Sequence, residues 1–252
     1  MTRSANFVSA PLSALLNAAI FAGMVAIGAT APHPANAASR GADVAEIEVP
    51  GLFPRRDRAA LVAIAQSPQA SLHDRAIAWH GLAGQRVEGA AHTAVQLLDE
   101  AGAGTGTDPL MKAYLGSAYI MRARDQSFVP ARIRSVRRGL TILTEAVNAD
   151  PGSFEVRSLR AATTMNLPDI FDYRDQVRAD LSMLIGMIEA GKAPAAPGSD
   201  IHGRFILALA KACAQDADAA CAVRQIDLVR TRFGADPDLA APAAALEAAL
   251  GR

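Results

Sequence analysis

Apolar residues in this chain recur at helical intervals and almost nowhere alternate. Leu61 and Ile64 open a first element over about residues 56–66, and a second covers about 71–84. A third, over about 89–101, carries Ala91, Val95 and Leu98 on one face. Asp108-Pro109 then reads as a helix start: the carboxylate accepts from free first-turn N–H groups, and proline lacks the N–H that would go unused. The helix it opens, over 110–124, is apolar on more than one side, as an element packed between neighbours must be. From Pro130 a long helix places Ile133, Val136, Leu140, Leu143 and Val147 in one narrow stripe. Ser153 caps the next, over 154–165. Val177, Leu181, Leu184, Ile185 and Ile188 mark another, stopped by Gly191 and Pro194, and segments 201–214, 220–233 and 239–250 complete the set. Nowhere is there a sustained apolar/polar alternation joined by hairpin turns. The pattern predicts an all-α protein.

Prolines punctuate it. Pro68, Pro109, Pro151, Pro194 and Pro237 are separated by 41, 42, 43 and 43 residues, and each interval holds about two helices. A period of that size with one helix pair per unit predicts an α-solenoid of antiparallel pairs over residues 56–252.

One unit carries a family likeness. Leu115-Gly116-x-x-Tyr119, within "KAYLGSAY", resembles the first-helix signature of tetratricopeptide repeats. Gly139-x-x-x-Leu143-x-x-Ala146 followed by Pro151 resembles the second. Small Gly116 and Gly139 let two helices approach closely, while Leu115, Tyr119 and Leu143 fill the space between. The chain departs from the family in having Lys112 where tryptophan is frequent. It also has 20 residues from Tyr119 to Gly139, so both helices and their turn are extended by "MRARDQSFVPARIRS". The likeness covers residues 109–151, other units match only in fragments, and a HEAT-like array suits the period on length alone. The resemblance implies a right-handed solenoid of ~42-residue units whose inner surface, lined by the first helix of each pair, binds a protein or peptide.

The first 37 residues differ from the rest. Arg3 is their only formally charged side chain, residues 12–30 are apolar and rich in small residues, and the stretch ends in Ala35-Asn36-Ala37. This is the form of a secretory signal peptide cleaved near Ala37. The expected organisation is a signal peptide over 1–37, a linker over 38–55 and the helical domain over 56–252. Without Arg3 the 25 Lys+Arg become 24 against 25 Asp+Glu. A nearly neutral exported chain predicts no nucleic-acid partner, and no later segment is long and apolar enough to span a membrane. The expected location is periplasmic or secreted.

Export gives Cys213 and Cys221 a meaning, since oxidising compartments favour disulfides. In one unbroken helix their Cα atoms would lie about 12 Å apart, too far for a bridge. Asp216 and Asp218 between them are turn and N-cap residues, so the helix can break there and a disulfide can join its two sides.

Catalytic signatures are lacking. His73, His80, Asp74 and His92 are too loosely spaced for a zinc helix. "GAGTGTD" lacks the Lys-Ser/Thr of a phosphate loop, and no nucleophile elbow occurs. The expected cofactor set is empty, with His73, His80 and His92 on the surface or in caps and His202 isolated. The strongest candidate chemistry is a basic cluster of Arg122, Arg124, Arg132, Arg134, Arg137 and Arg138, opposed only by Asp125. Arg134 and Arg138 fall opposite the apolar stripe and should face water. Farther on, Arg157 and Arg160 precede Asp169, Asp172, Asp175 and Asp180, a set expected to form ion pairs between helices while its aspartates stay exposed. The reading that emerges is a non-catalytic envelope scaffold for a protein or peptide. Its candidate contacts are Arg132, Arg134 and Arg138 on the cluster, with Lys112, Tyr114, Arg157 and Arg160 on the inner surface. The alternative is an enzyme subunit, or a binder of an anionic small molecule or polymer at the arginine-rich turn.

Overall fold

The computed structural model describes Leu52 and residues 56–251; the signal peptide expected over 1–37 and most of the expected linker over 38–55 lie outside these residues. Among the described residues there are ten α-helices and no strand. They are α1 (Arg58–Gln66), α2 (Leu72–Gly84), α3 (Ala90–Glu100), α4 (Pro109–Ala123) and α5 (Val129–Ala149). After these come α6 (Phe154–Thr164), α7 (Arg174–Glu189), α8 (Asp200–Gln215), α9 (Ala219–Phe233) and α10 (Pro237–Ala249). The all-α expectation holds.

Short polar side chains set most of the helix starts. Asp57, Ser71, Asp108, Ser153, Ser199, Asp218 and Asp236 each accept a hydrogen bond from a first-turn N–H. That leaves fewer donors unpaired at each terminus. The cap also explains a shifted boundary. With Asp57 accepting from the amides of Ala59 and Ala60, α1 begins at Arg58, not at residue 56. Proline occupies the first turn of α4, α5 and α10, where its missing N–H costs nothing. The stretch "NLPDIFDY" adds a feature that apolar periodicity does not foretell. Residues Asp169–Phe171 form a single 3-10 turn, and Asp172 closes it with φ of 49°. Aspartate is among the residues that tolerate this left-handed conformation.

Each helix packs on the next in sequence. In addition α2 touches α4, α4 touches α6, and α8 touches α10. The buried apolar side chains form successive clusters along the chain. Leu61, Leu82 and Ala91 join α1 to α3, while Val95, Leu98, Leu115 and Tyr119 join α3 to α4. Leu140, Leu143 and Val156 link α5 to α6, and a larger cluster around Phe205, Leu181, Leu184 and Ile226 unites α6 to α10. Leu52, although it precedes α1, is buried in that last cluster. The closest helix contact is between α4 and α5, where the backbones meet at Gly116 and Gly139. A Cβ added to Gly116 would lie 2.8 Å from the Gly139 carbonyl oxygen, and one added to Gly139 would lie 2.5 Å from that of Gly116.

Candidate functional site

Contacts among even-numbered helices bring three polar side chains into line. His80 of α2 lies 2.8 Å from the hydroxyl of Ser117 on α4, which lies 2.8 Å from the hydroxyl of Thr163 on α6. Thr163 donates to the Leu159 carbonyl at 2.7 Å, and that bond fixes the direction of the others. Thr163 must accept from Ser117, so Ser117 accepts from the Nε2–H of His80. Burial, followed by the nearby charges of Arg56 and Arg124, pushes the His80 pKa down to about 3. Tyr114 stands edge-on to the ring with centroids 4.9 Å apart. Ser117 is buried and its proton is already given away. The trio therefore fastens three helices and does not pair a nucleophile with a base. A hollow between α1 and α2, of about 290 Å³, has Arg56 and Asp74 as its only charged lining groups. Its volume is at the lower edge of the range for ligand pockets.

The basic cluster divides into two parts. Arg124 is tied down, with Nη2 donating to the Ala83 carbonyl at 2.7 Å and Nε to the Met121 carbonyl at 3.2 Å. Arg122 and Arg138 instead converge on one ring. Their guanidinium carbons lie 4.6 and 4.3 Å from the centroid of Tyr119. The ring is buried, and its hydroxyl donates to Asp99 at 3.2 Å. Arg122 also donates to Ser135, which donates to Gln126. Arg134, Arg137 and Arg138 are exposed, as their positions opposite the apolar stripe predict, and Arg132 is partly buried. The association of Arg138 with Tyr119 was not legible from the helical wheel, because it depends on how α4 and α5 cross.

Two of the arginines expected as contacts are engaged within the molecule. Arg157 and Arg160 turn toward Asp180 of α7, whose side chain is fully buried, contrary to the expectation of exposed aspartates. Arg160 grips both carboxylate oxygens at 2.6 and 2.7 Å, and Arg157 adds a third bond at 2.7 Å. The Asp180 carboxylate raises the Arg160 pKa against the opposing effect of burial. The physical reason is packing: a charge this deep is tolerated only when its hydrogen bonds are filled. Lys112 pairs with Glu145 of α5 at 3.6 Å. Of the expected inner-surface set, only Tyr114 lies along the His80–Ser117 line.

The histidines divide between surface and interior. His73 and His92 are exposed, as expected. His202 is fully buried: its Nδ1 accepts from the Gly198 amide at 3.1 Å, while its Nε2 has no hydrogen-bond partner. Burial lowers its pKa, with Glu189 opposing and Arg232 assisting. Cys213 and Cys221 form a disulfide with Cα atoms 5.8 Å apart, across the break between α8 and α9. Asp218 caps α9 through the Cys221 amide. Its carboxylate lies within 4.8 Å of both sulfurs, but sulfurs bonded to each other supply no thiolate for a metal.

Comparison of the chain with protein-family models, with curated proteins and with solved structures finds no match.

Proposed function

We propose that this protein is a right-handed, tetratricopeptide-like α-solenoid that binds a protein or peptide partner in the cell envelope, after export and cleavage near Ala37. The observation that carries the reading is the side-by-side contact of α2, α4 and α6, crossed by the line His80–Ser117–Thr163. Stacked helix pairs of this kind offer a continuous surface in place of a closed pocket. The near-equal proline spacing and the glycine contact of α4 with α5 support it from the sequence side. Nearly neutral net charge accords with selective docking rather than with bulk attraction to polyanions.

The test is cross-linking in intact cells that express the tagged full-length chain. The reading expects one or a few specific envelope proteins to be recovered, and charge reversal at Arg134 and Arg138 to weaken their recovery. Recovery of none, or of the same proteins with an unrelated exported control, would remove it. Intact mass beginning near Ala38 is expected for the exported form, whereas a full-length cytosolic product would overturn the location.

A further inference from the structure

We infer that Arg122 and Arg138, held on the ring of Tyr119, form a carboxylate-binding clasp for an acidic peptide segment of the partner. This rests on the partner-binding reading above and names the chemistry that one part of the surface selects.

The clasp has three parts. Both guanidinium carbons lie within 5 Å of the Tyr119 centroid, at 4.6 and 4.3 Å, so one ring holds two positive groups in place. Each guanidinium fork offers a carboxylate of the peptide a pair of parallel N–H donors. The ring restrains both side chains before any ligand arrives, which lowers the entropy lost on binding. Arg122 is further held by Ser135, which is itself held through Gln126.

The charge around the clasp is one-sided. Among the described residues no ion pair engages Arg122, Arg134, Arg137 or Arg138. One carboxylate, Asp99, is bound by the Tyr119 hydroxyl at the end of the ring. Asp125, in the turn after α4, sits beside Arg124 and Glu88, and burial raises its pKa. Several arginines farther along the chain are matched instead: Arg157 and Arg160 by Asp180, Arg178 by Asp216 and Asp218, Arg230 by Glu247. On the α4–α5 hairpin Lys112 is matched by Glu145, whereas Arg122, Arg134, Arg137 and Arg138 form a positive cluster without an ion pair among the described residues. Fixed, ring-stacked guanidiniums favour a discrete carboxylate over the diffuse charge of a lipid surface, which flexible exposed cations serve as well.

The experiment uses the mature full-length protein and a fluorescein-labelled hexaglutamate peptide, followed by anisotropy at moderate salt. Arg138→Gln is the test variant, and Arg137→Gln, an adjacent exposed arginine, removes the same charge without touching the ring. The clasp expects Arg138→Gln to weaken binding at least tenfold and Arg137→Gln to weaken it less than threefold. Equal losses would mean diffuse electrostatics and overturn the proposal. So would tighter binding to vesicles containing phosphatidylglycerol than to the peptide. Cellular partners still recovered by an Arg138→Gln protein that no longer binds the peptide would sink the clasp and leave the scaffold reading standing. No specific partner recovered by the parent protein, although it binds the peptide and Arg138→Gln does not, would sink the scaffold reading alone.

Discussion

Gly116 and Gly139 lie opposite one another where α4 crosses α5, and neither has room for a side chain. A Cβ at Gly139 would also meet Ile120 at 2.6 Å, and one at Gly116 would meet Leu143 at 2.9 Å. Alanine at either position should therefore destabilise the fold even though it is a better helix former than glycine by about 1 kcal/mol. Overpacking of this kind costs roughly 1–3 kcal/mol, and the clash here is with backbone, so the net effect of Gly139→Ala is a loss of up to about 2 kcal/mol. Gly139→Val should lose more. Urea unfolding followed by circular dichroism measures both, and an alanine variant as stable as the parent would mean that the helices separate at no cost.

The arginine pair on Asp180 carries a second expectation. Removing one partner of a buried charge group leaves the others unneutralised, which costs about 3–5 kcal/mol. Asp180→Ala should lose that much. Arg157→Ala should lose less, because Arg160 alone spans both oxygens. Asp180→Ala combined with Arg160→Met should recover part of the loss, since only Arg157 is then left without its carboxylate. Denaturant midpoints of the three proteins decide it.

How far the chain could be read in advance follows from which forces are local. Helix positions were legible because a cap such as Asp108 or Ser153 acts within three residues, and a stripe such as Val136-Leu140-Leu143 is written along one element. The boundary at Arg58 was missed by two residues because Asp57 looked like part of the helix rather than its cap. The Gly116–Gly139 approach was legible because both residues fall in a repeat signature. What the sequence hides is depth. Asp180 looks like its exposed neighbours Asp172 and Asp175, and only the packing of α6 on α7 reveals that it is enclosed. His80 shows the same limit, since its partners Ser117 and Thr163 lie 37 and 46 positions beyond it and beyond Ser117 respectively. The convergence of Arg122 and Arg138 on Tyr119 likewise depends on a crossing angle that no single helix contains.

The disulfide gives a redox prediction. Closing the short loop between Cys213 and Cys221 limits the unfolded chain, by about 2–3 kcal/mol on the chain-entropy estimate. The loop is also fastened without it, by Arg178 to Asp216 and Asp218 and by the cap on the Cys221 amide. Reduction should thus lower the melting temperature by several degrees and leave helix content unchanged at 25 °C. A Cys213→Ala/Cys221→Ala protein should behave as the reduced form does. Loss of helical signal on reduction alone would mean that the polar fastening contributes nothing.

Mild acid should weaken the fold, and His80 is one reason. Its pKa falls from 6.5 to about 3 on folding. Below pH 6.5 the unfolded chain takes up a proton on this ring and the native chain does not, so the unfolded state binds more protons and stability declines with falling pH. The contribution is fully present above pH 6.5 and is lost progressively down to about pH 3. One group can contribute at most about 1.36 kcal/mol per pH unit, or roughly 2 kcal/mol between pH 6.5 and 5. His202, whose pKa burial also lowers, acts in the same direction. In His80→Gln the amide can still donate to Ser117 but does not titrate. Denaturant unfolding at pH 7.5, 6.5 and 5 should give a clearly shallower pH dependence for the variant. Parallel profiles would mean that a proton enters the native protein at this ring, and that the line from His80 to Thr163 opens at no cost.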